Sequence, residues 1–158
     1  GAHVTESNYS GTTVDFAKGR MRLDQEDVEI IDVPGTFSLE PKDRAEEVAV
    51  RMLGEEKGVL VVCIIDSSKI ERGLYLALEI IEKGYPVIIA LNMWDVANGG
   101  NIKINTQKLE QILGVPVVPT VAIRGEGLKE LVLRMKKAAP AEIEKIMENV
   151  GVKSGTHG

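Results

Sequence analysis

"VLVVCIIDSSKIERGLYLALEIIEKGYPVIIALNMWD", residues 59–95, decides the fold. Its first eight residues, Val59 to Asp66, form a continuous apolar run ended by an acid. Such a run, bounded by turn residues, reads as a strand buried on both faces, the kind found in parallel sheets. Residues 70–84 then carry apolar side chains at helical spacing and stop at Gly84. "PVIIALN", 86–92, is a second buried run. Strand, helix and strand in this order predict an α/β fold around a mostly parallel sheet.

The pattern extends in both directions. Upstream, "TTVDFAKGRMRL" (12–23) and "VEIIDV" (28–33) flank the polar turn "DQED", which predicts a hairpin. An amphipathic helix follows from Asp43 to Gly54. Downstream, "NTQKLEQILG" (105–114) is a short helix, "VPVVPT" (115–120) a third buried strand and residues 125–139 a further helix. "PAEIEKIMENVG" (140–151) reads as a last helix with Pro140 in its first turn. The tail from Val152 onward is expected to be disordered.

Composition narrows the function classes. The 158 residues suit one domain. A formal net charge of -5 argues against a nucleic-acid surface, so Arg134, Lys136 and Lys137 read as a solvated helix face. The single cysteine, Cys63, lies inside an apolar run and reads as a small core residue in a reduced compartment. His3 and His157 stand at opposite ends of the chain, which leaves no ligand set for a structural metal. No apolar run approaches the roughly 20 residues that span a bilayer, and no signal peptide is visible. A cytoplasmic protein is expected.

In open parallel sheets ligands bind at the carboxyl ends of the strands, and the polar motifs fall there. "DVPG" (32–35) puts a carboxylate where it can hold Mg²⁺ directly or through water. Gly35 lets a backbone N–H approach a terminal phosphate. Read alone, Asp32 is better explained as an acid in a turn. "NMWD" (92–95) closes the second buried strand. The Asp95 carboxylate can accept the N1–H and exocyclic amine of guanine, a donor pair that adenine lacks. Asn92 would brace the loop. A helix N-cap explains the same residues without a ligand.

After the third strand, "PTVAIRGEG" (119–127) offers the small Ala122, whose N–H can approach the guanine O6; an ordinary strand-to-helix loop is the alternative. Near the start, the Thr13 hydroxyl can ligate Mg²⁺ and its N–H touch a γ-phosphate, or Thr13 simply opens a strand. Each motif is modest alone. Their order is not, with spacings of 19, 60 and 30 residues (13 to 32, 32 to 92, 92 to 122). Together they form a magnesium, phosphate and guanine constellation of a GTP-binding domain.

"SNYSGTTVD", "DVPGTFSLEP", "DSSKIERGLYLALEI", "VIIALNMWD" and "GVPVVPTVAIRGEGLKEL" resemble the G domain of FeoB, the prokaryotic ferrous iron transport protein, over roughly residues 3–138. The resemblance implies a P-loop-GTPase-like (Ras-like) α/β fold with a mostly parallel sheet. It implies that residues 1–138 form the G domain, 139–150 an additional C-terminal helix and 151–158 a flexible tail. It makes Thr13, Gly35 and Thr36 the residues around the γ-phosphate, and Thr13 and Asp32 the magnesium ligands. Asn92, Met93, Asp95, Val121 and Ala122 would bind the base. Thr36 stands where Ras-like enzymes carry a water-orienting glutamine, which implies slow hydrolysis. Met93 replaces the lysine of the usual N-K-x-D box.

The implied activity is Mg²⁺-dependent GTP hydrolysis that regulates Fe(II) uptake through a membrane-embedded partner. The implied location is cytoplasmic, at the inner face of the membrane. One departure stands out. The chain has no G-x-x-x-x-G-K-[ST], and the family's P-loop strand, which sits in mid-sheet, would precede His3. "GVKSG" (151–155) has Lys-Ser but no glycine before the lysine and no expected strand feeding it. The chain alone is therefore expected to bind nucleotide weakly and hydrolyse it negligibly. Two rival readings stay open: a GTPase of ribosome assembly or tRNA modification, and a nucleotide-free interaction module that keeps the old switch surface.

Overall fold

The computed structural model describes residues 5–8, 15–33, 51–55, 58–138 and 145–150. Thr13, Gly35 and Thr36 lie outside the described residues, as do 43–50 of the expected helix and the tail from 151.

The described strands are β1 (Thr5–Asn8), β2 (Asp15–Leu23), β3 (Glu26–Val33), β4 (Val59–Asp66), β5 (Val87–Asn92), β6 (Val117–Pro119) and β7 (Lys145–Val150). The helices are α1 (51–55), α2 (Ile70–Glu82), α3 (Trp94–Gly99), α4 (Thr106–Leu113) and α5 (Leu128–Ala138). Seven strands form one sheet in the order β1-β2-β3-β7-β4-β5-β6. β3, β7, β4, β5 and β6 run parallel, and β1 and β2 extend them as an antiparallel edge.

The 59–66 run behaves as its composition requires. Val59, Val61, Cys63 and Ile65 face one hydrophobic core, shared with Leu76, Ala77 and Ile80 of α2. Leu60 and Val62 face the other, shared with Met135 of α5. Both faces of the strand are buried, with only Ile64 partly exposed, so no alternation with polar residues survives. Gly73 lets α2 lie close on β4, because a Cβ there would come within 2.6 Å of the Ile65 side chain. The hairpin forms as expected, with Asp24 in the left-handed region (φ 57) at its turn.

The expected last helix is corrected. Residues 145–150 are not helical; they form β7, the strand between β3 and β4. β7 pairs in parallel with both neighbours, Ile146 opposite Ile30 on one side and Leu60 on the other. Ile143, Ile146, Met147 and Val150 have helical spacing, which is why the local pattern misleads. Two parallel edges decide otherwise: β3 and β4 each present a row of backbone groups, and one strand between them satisfies both. Ile146 and Met147, adjacent in sequence, enter opposite cores and are both fully buried. The expectation that no strand feeds "GVKSG" is corrected with it, since β7 ends at Val150. β1, pairing with β2, is a further strand that the sequence pattern did not announce.

Candidate functional site

The carboxyl ends of β4, β5 and β6 converge, and the site is built there from turns whose bonds are all local to it. At the end of β4, the Asp66 carboxylate accepts from the Ser68 N–H at 2.9 Å and from the Ser68 hydroxyl at 2.6 Å, capping a 3-10 turn over Ser67–Lys69. That turn buries Ser67, whose hydroxyl donates to the Asn92 carbonyl at 2.6 Å. Asp66 and Asn92 are themselves opposite one another in the β4–β5 ladder.

Asn92 is the hub. Its side-chain oxygen accepts from the Thr120 hydroxyl at 3.2 Å and from the Ala122 N–H at 3.0 Å. Backbone bonds from Thr120 N to the Leu91 carbonyl and from Trp94 N to the Thr120 carbonyl close the same joint. The expected bracing role of the Asn92 amide is thus seen as geometry. Met93 follows in the left-handed region (φ 56), a conformation uncommon for a residue with a side chain, and serves as N-cap of α3. The turn throws Asp95 into the first turn of α3, at the site rather than behind it. Met93, Val96 and Ile123 leave their apolar side chains exposed around it, Ile123 almost completely at 92%.

The third strand's loop is a second 3-10 turn, Ala122–Arg124, pinned by Val121 bonding to Glu126 in both directions. Val121 is buried beneath it. Gly127 (φ 80) permits the closure, for a Cβ there would stand 2.2 Å from the Pro119 carbonyl oxygen. Arg124 reaches from this turn to Asp95, its Nη2 3.2 Å from Oδ2. Asn92, Met93, Asp95, Val121 and Ala122 are therefore brought together at one place.

Asp32 lies apart from that group, near the carboxyl end of β3. Its neighbour across the ladder is Glu148 of β7. Burial pushes the Glu148 carboxyl above its ordinary value, and the nearby Asp32 charge pushes it the same way. Hard oxygen donors of this kind suit Mg²⁺. Among the described residues no group of three His, Cys, Asp or Glu is gathered as a metal site. Thr13, the other expected ligand, lies outside them.

The family model for ferrous iron transport protein B matches residues 1–135. The chain belongs to the FeoB family. The FeoA/FeoB fusion protein of Porphyromonas gingivalis is 43% identical over 132 residues, 83% of this chain and 16% of that protein. Among solved structures, the cytosolic domain of T. maritima FeoB in its GMPPNP form superposes with a TM-score of 0.81 at 34% identity, covering 89% of this chain and 56% of that one. The FeoB G domain of Methanococcus jannaschii gives 0.73 at 38% identity, covering 77% and 78%. The fold is therefore that of the FeoB P-loop GTPase G domain. The chain spans 16% to 18% of the length of the curated FeoB relatives it matches. Among the described residues no helix is long and apolar enough to cross a membrane. The FeoB family match ends before β7 begins.

Three contributors to the site escaped the motif reading: Ser67, Thr120 and Arg124. The side chains of Ser67 and Thr120 both bond to Asn92, far away in sequence, so nothing in their own spacing marks them. Arg124 stood within "AIRGEG", and only its proximity to Asp95 gives it a part.

Proposed function

We propose that this chain is the nucleotide-responsive part of a ferrous iron transport system, binding GTP and GDP weakly with Mg²⁺; it contains no G-x-x-x-x-G-K-[ST], so GTP hydrolysis would need the P-loop of the intact family context. The observation that carries the reading is the Asn92 hub, which fastens the Asp95 helix and the Ala122 turn to each other. Asp95 would accept the two donors on the guanine edge. The Ala122 N–H is given to Asn92, so an N–H beside it on the same turn would face O6, while Met93 and Val121 line the base. A carboxylate and an amide fixed on a rigid frame select guanine over adenine, because adenine offers an acceptor where the carboxylate needs a donor.

Asp32 and the Thr13 hydroxyl would hold Mg²⁺, and backbone N–H groups at Gly35 and Thr36 would sit against the γ-phosphate. The metal, when bound, offsets charge on the phosphate oxygens. A threonine at 36 cannot orient water as a carboxamide can, so turnover would be slow. The state of the bound nucleotide would be passed to a membrane-embedded iron-transport domain, with this part at the inner face of the membrane. Residues 1–138, completed in mid-sheet by β7, would act as the G domain.

The test is binding of fluorescent GDP and GTP to the chain, with ATP as competitor and with Asp95→Asn alongside. Guanine-selective binding is expected in the wild type. Asp95→Asn should shift preference toward xanthine, whose C2 carbonyl can accept from the new amide. Equal displacement by ATP would overturn the guanine assignment.

One observation favours a second reading, a nucleotide-free interaction module. β7 brings the Glu148 carboxyl beside Asp32, and a second acid there works against a phosphate. Complete absence of guanine-nucleotide binding would select that reading.

A further inference from the structure

We infer that Arg124 is an internal stand-in for guanine, holding the Asp95 carboxylate until the base displaces it. The inference rests on the guanine-site reading above. A guanidinium presents a planar row of N–H donors, the same pattern that the N1–H and N2 amine of guanine offer to a carboxylate. Arg124 already places one of these donors on the carboxylate, its Nη2 3.2 Å from Asp95 Oδ2. One carboxylate cannot satisfy both partners in the same plane, so entry of the base is an exchange of donors and not a simple addition.

The geometry supplies what an exchange needs. The turn that carries Arg124 is fixed by the Asn92 bond to Ala122 and by the reciprocal Val121–Glu126 bonds, so the side chain can leave without the loop moving. Glu126 offers a second perch, its Oε1 3.7 Å from Arg124 Nη1. The guanidinium can thus swing off Asp95 and remain paired. Arg124 is more than half exposed at 57% and Asp95 about one-third at 32%, which keeps the contact weak enough to be displaced. Its occupancy scales the apparent guanine affinity down to the fraction of time that Asp95 is free. Adenine, with no matching donor pair, has no means to win the exchange.

Guanosine is the probe, because it is neutral and tests the base site without phosphate electrostatics. It is titrated into the full chain while the indole N–H of Trp94, the chain's single tryptophan and the neighbour of Asp95, is followed by NMR. Arg124→Ala should tighten guanosine binding about two- to fivefold, the range expected for an exposed ion pair. Glu126→Gln should weaken it by removing the second perch. Raising salt should tighten binding to the wild type, whose ion pair is screened, and leave Arg124→Ala unchanged. A residue that merely shaped the loop would not produce that salt difference. With Asp95→Ala in the background, Arg124→Ala should bring no gain.

Unchanged or weaker guanosine binding by Arg124→Ala, with no salt difference from wild type, overturns the stand-in role while leaving the guanine site intact. If neither protein responds to guanosine, the guanine reading itself fails and takes the inference with it.

Discussion

Glu148 of β7 stands directly across the parallel ladder from Asp32 of β3, two acids on the same face of adjacent strands in the middle of the sheet. Ile30 and Ile146, two residues back on each strand, occupy the same face at the apolar end. On that face each strand passes from an isoleucine packed in the core to an acid, and the two acids lie opposite one another.

That relationship sets a pH dependence. The Glu148 carboxyl is raised in the folded chain, first by burial and then by Asp32. The folded state therefore holds this proton more tightly than the unfolded state, whose glutamate titrates near its ordinary value of about 4.3. The contribution to stability is fully present below that value and is lost as pH rises through the folded value. Urea unfolding between pH 4 and 8 should show this decline, and Glu148→Gln should remove it. An identical slope in the variant would show that Glu148 is not the group responsible.

β7 should matter to the whole sheet. Ile146 is fully buried between β3 and β4, so Ile146→Ala is expected to cost about 2–5 kcal/mol. Hydrogen exchange should quicken on both neighbouring strands, because both lose a partner edge. If β3 and β4 keep their protection, residues 145–150 are not the strand between them.

Asn92→Ala removes the acceptor shared by Thr120 and Ala122. Orphaning these donors should cost about 1–3 kcal/mol and free the Ala122 turn from α3. Guanosine binding should vanish with it. Thr120→Val removes one donor and leaves the Ala122 bond, so its effect should be clearly smaller. Equal effects would mean that the Ala122 bond contributes nothing.

Gly127→Ala should distort the same turn by a different route. The added Cβ would meet the Pro119 carbonyl oxygen at 2.2 Å in a left-handed backbone. A cost of about 1–3 kcal/mol is expected, read as a lower unfolding midpoint. An unchanged midpoint would mean that the loop is free to shift.

Cys63 lies buried on β4, and burial pushes its thiol up to about 12. The thiolate is the reactive form, so the folded chain should resist alkylation at pH 8. Labelling should then track unfolding in urea. Rapid labelling of the native chain would contradict the burial.

The continuous apolar runs 59–66 and 86–92 have only one comfortable place, the middle of a parallel sheet, so their strands were legible from composition alone. The helix between them was equally plain, because its apolar residues repeat at 3.6 and Gly84 ends it. At the site, Asn92 and Asp95 could be read as a guanine motif since a carboxylate at that spacing has a recognisable chemical use. Ser67 and Thr120 could not. Their bonds join residues 25 and 28 positions away, and no local pattern encodes such a distance.

By itself, then, the sequence determined the alternation of buried strands and amphipathic helices, the FeoB resemblance and the residue types at the strand ends. Periodicity and chemical type are local properties, and they survive without coordinates. The tertiary structure alone decided that residues 145–150 form a strand, that Glu148 faces Asp32 and that Arg124 holds Asp95. For 145–150 the local preference was helical. Two unpaired strand edges, one from each side, outweighed it, because a helix can satisfy its own backbone but not theirs.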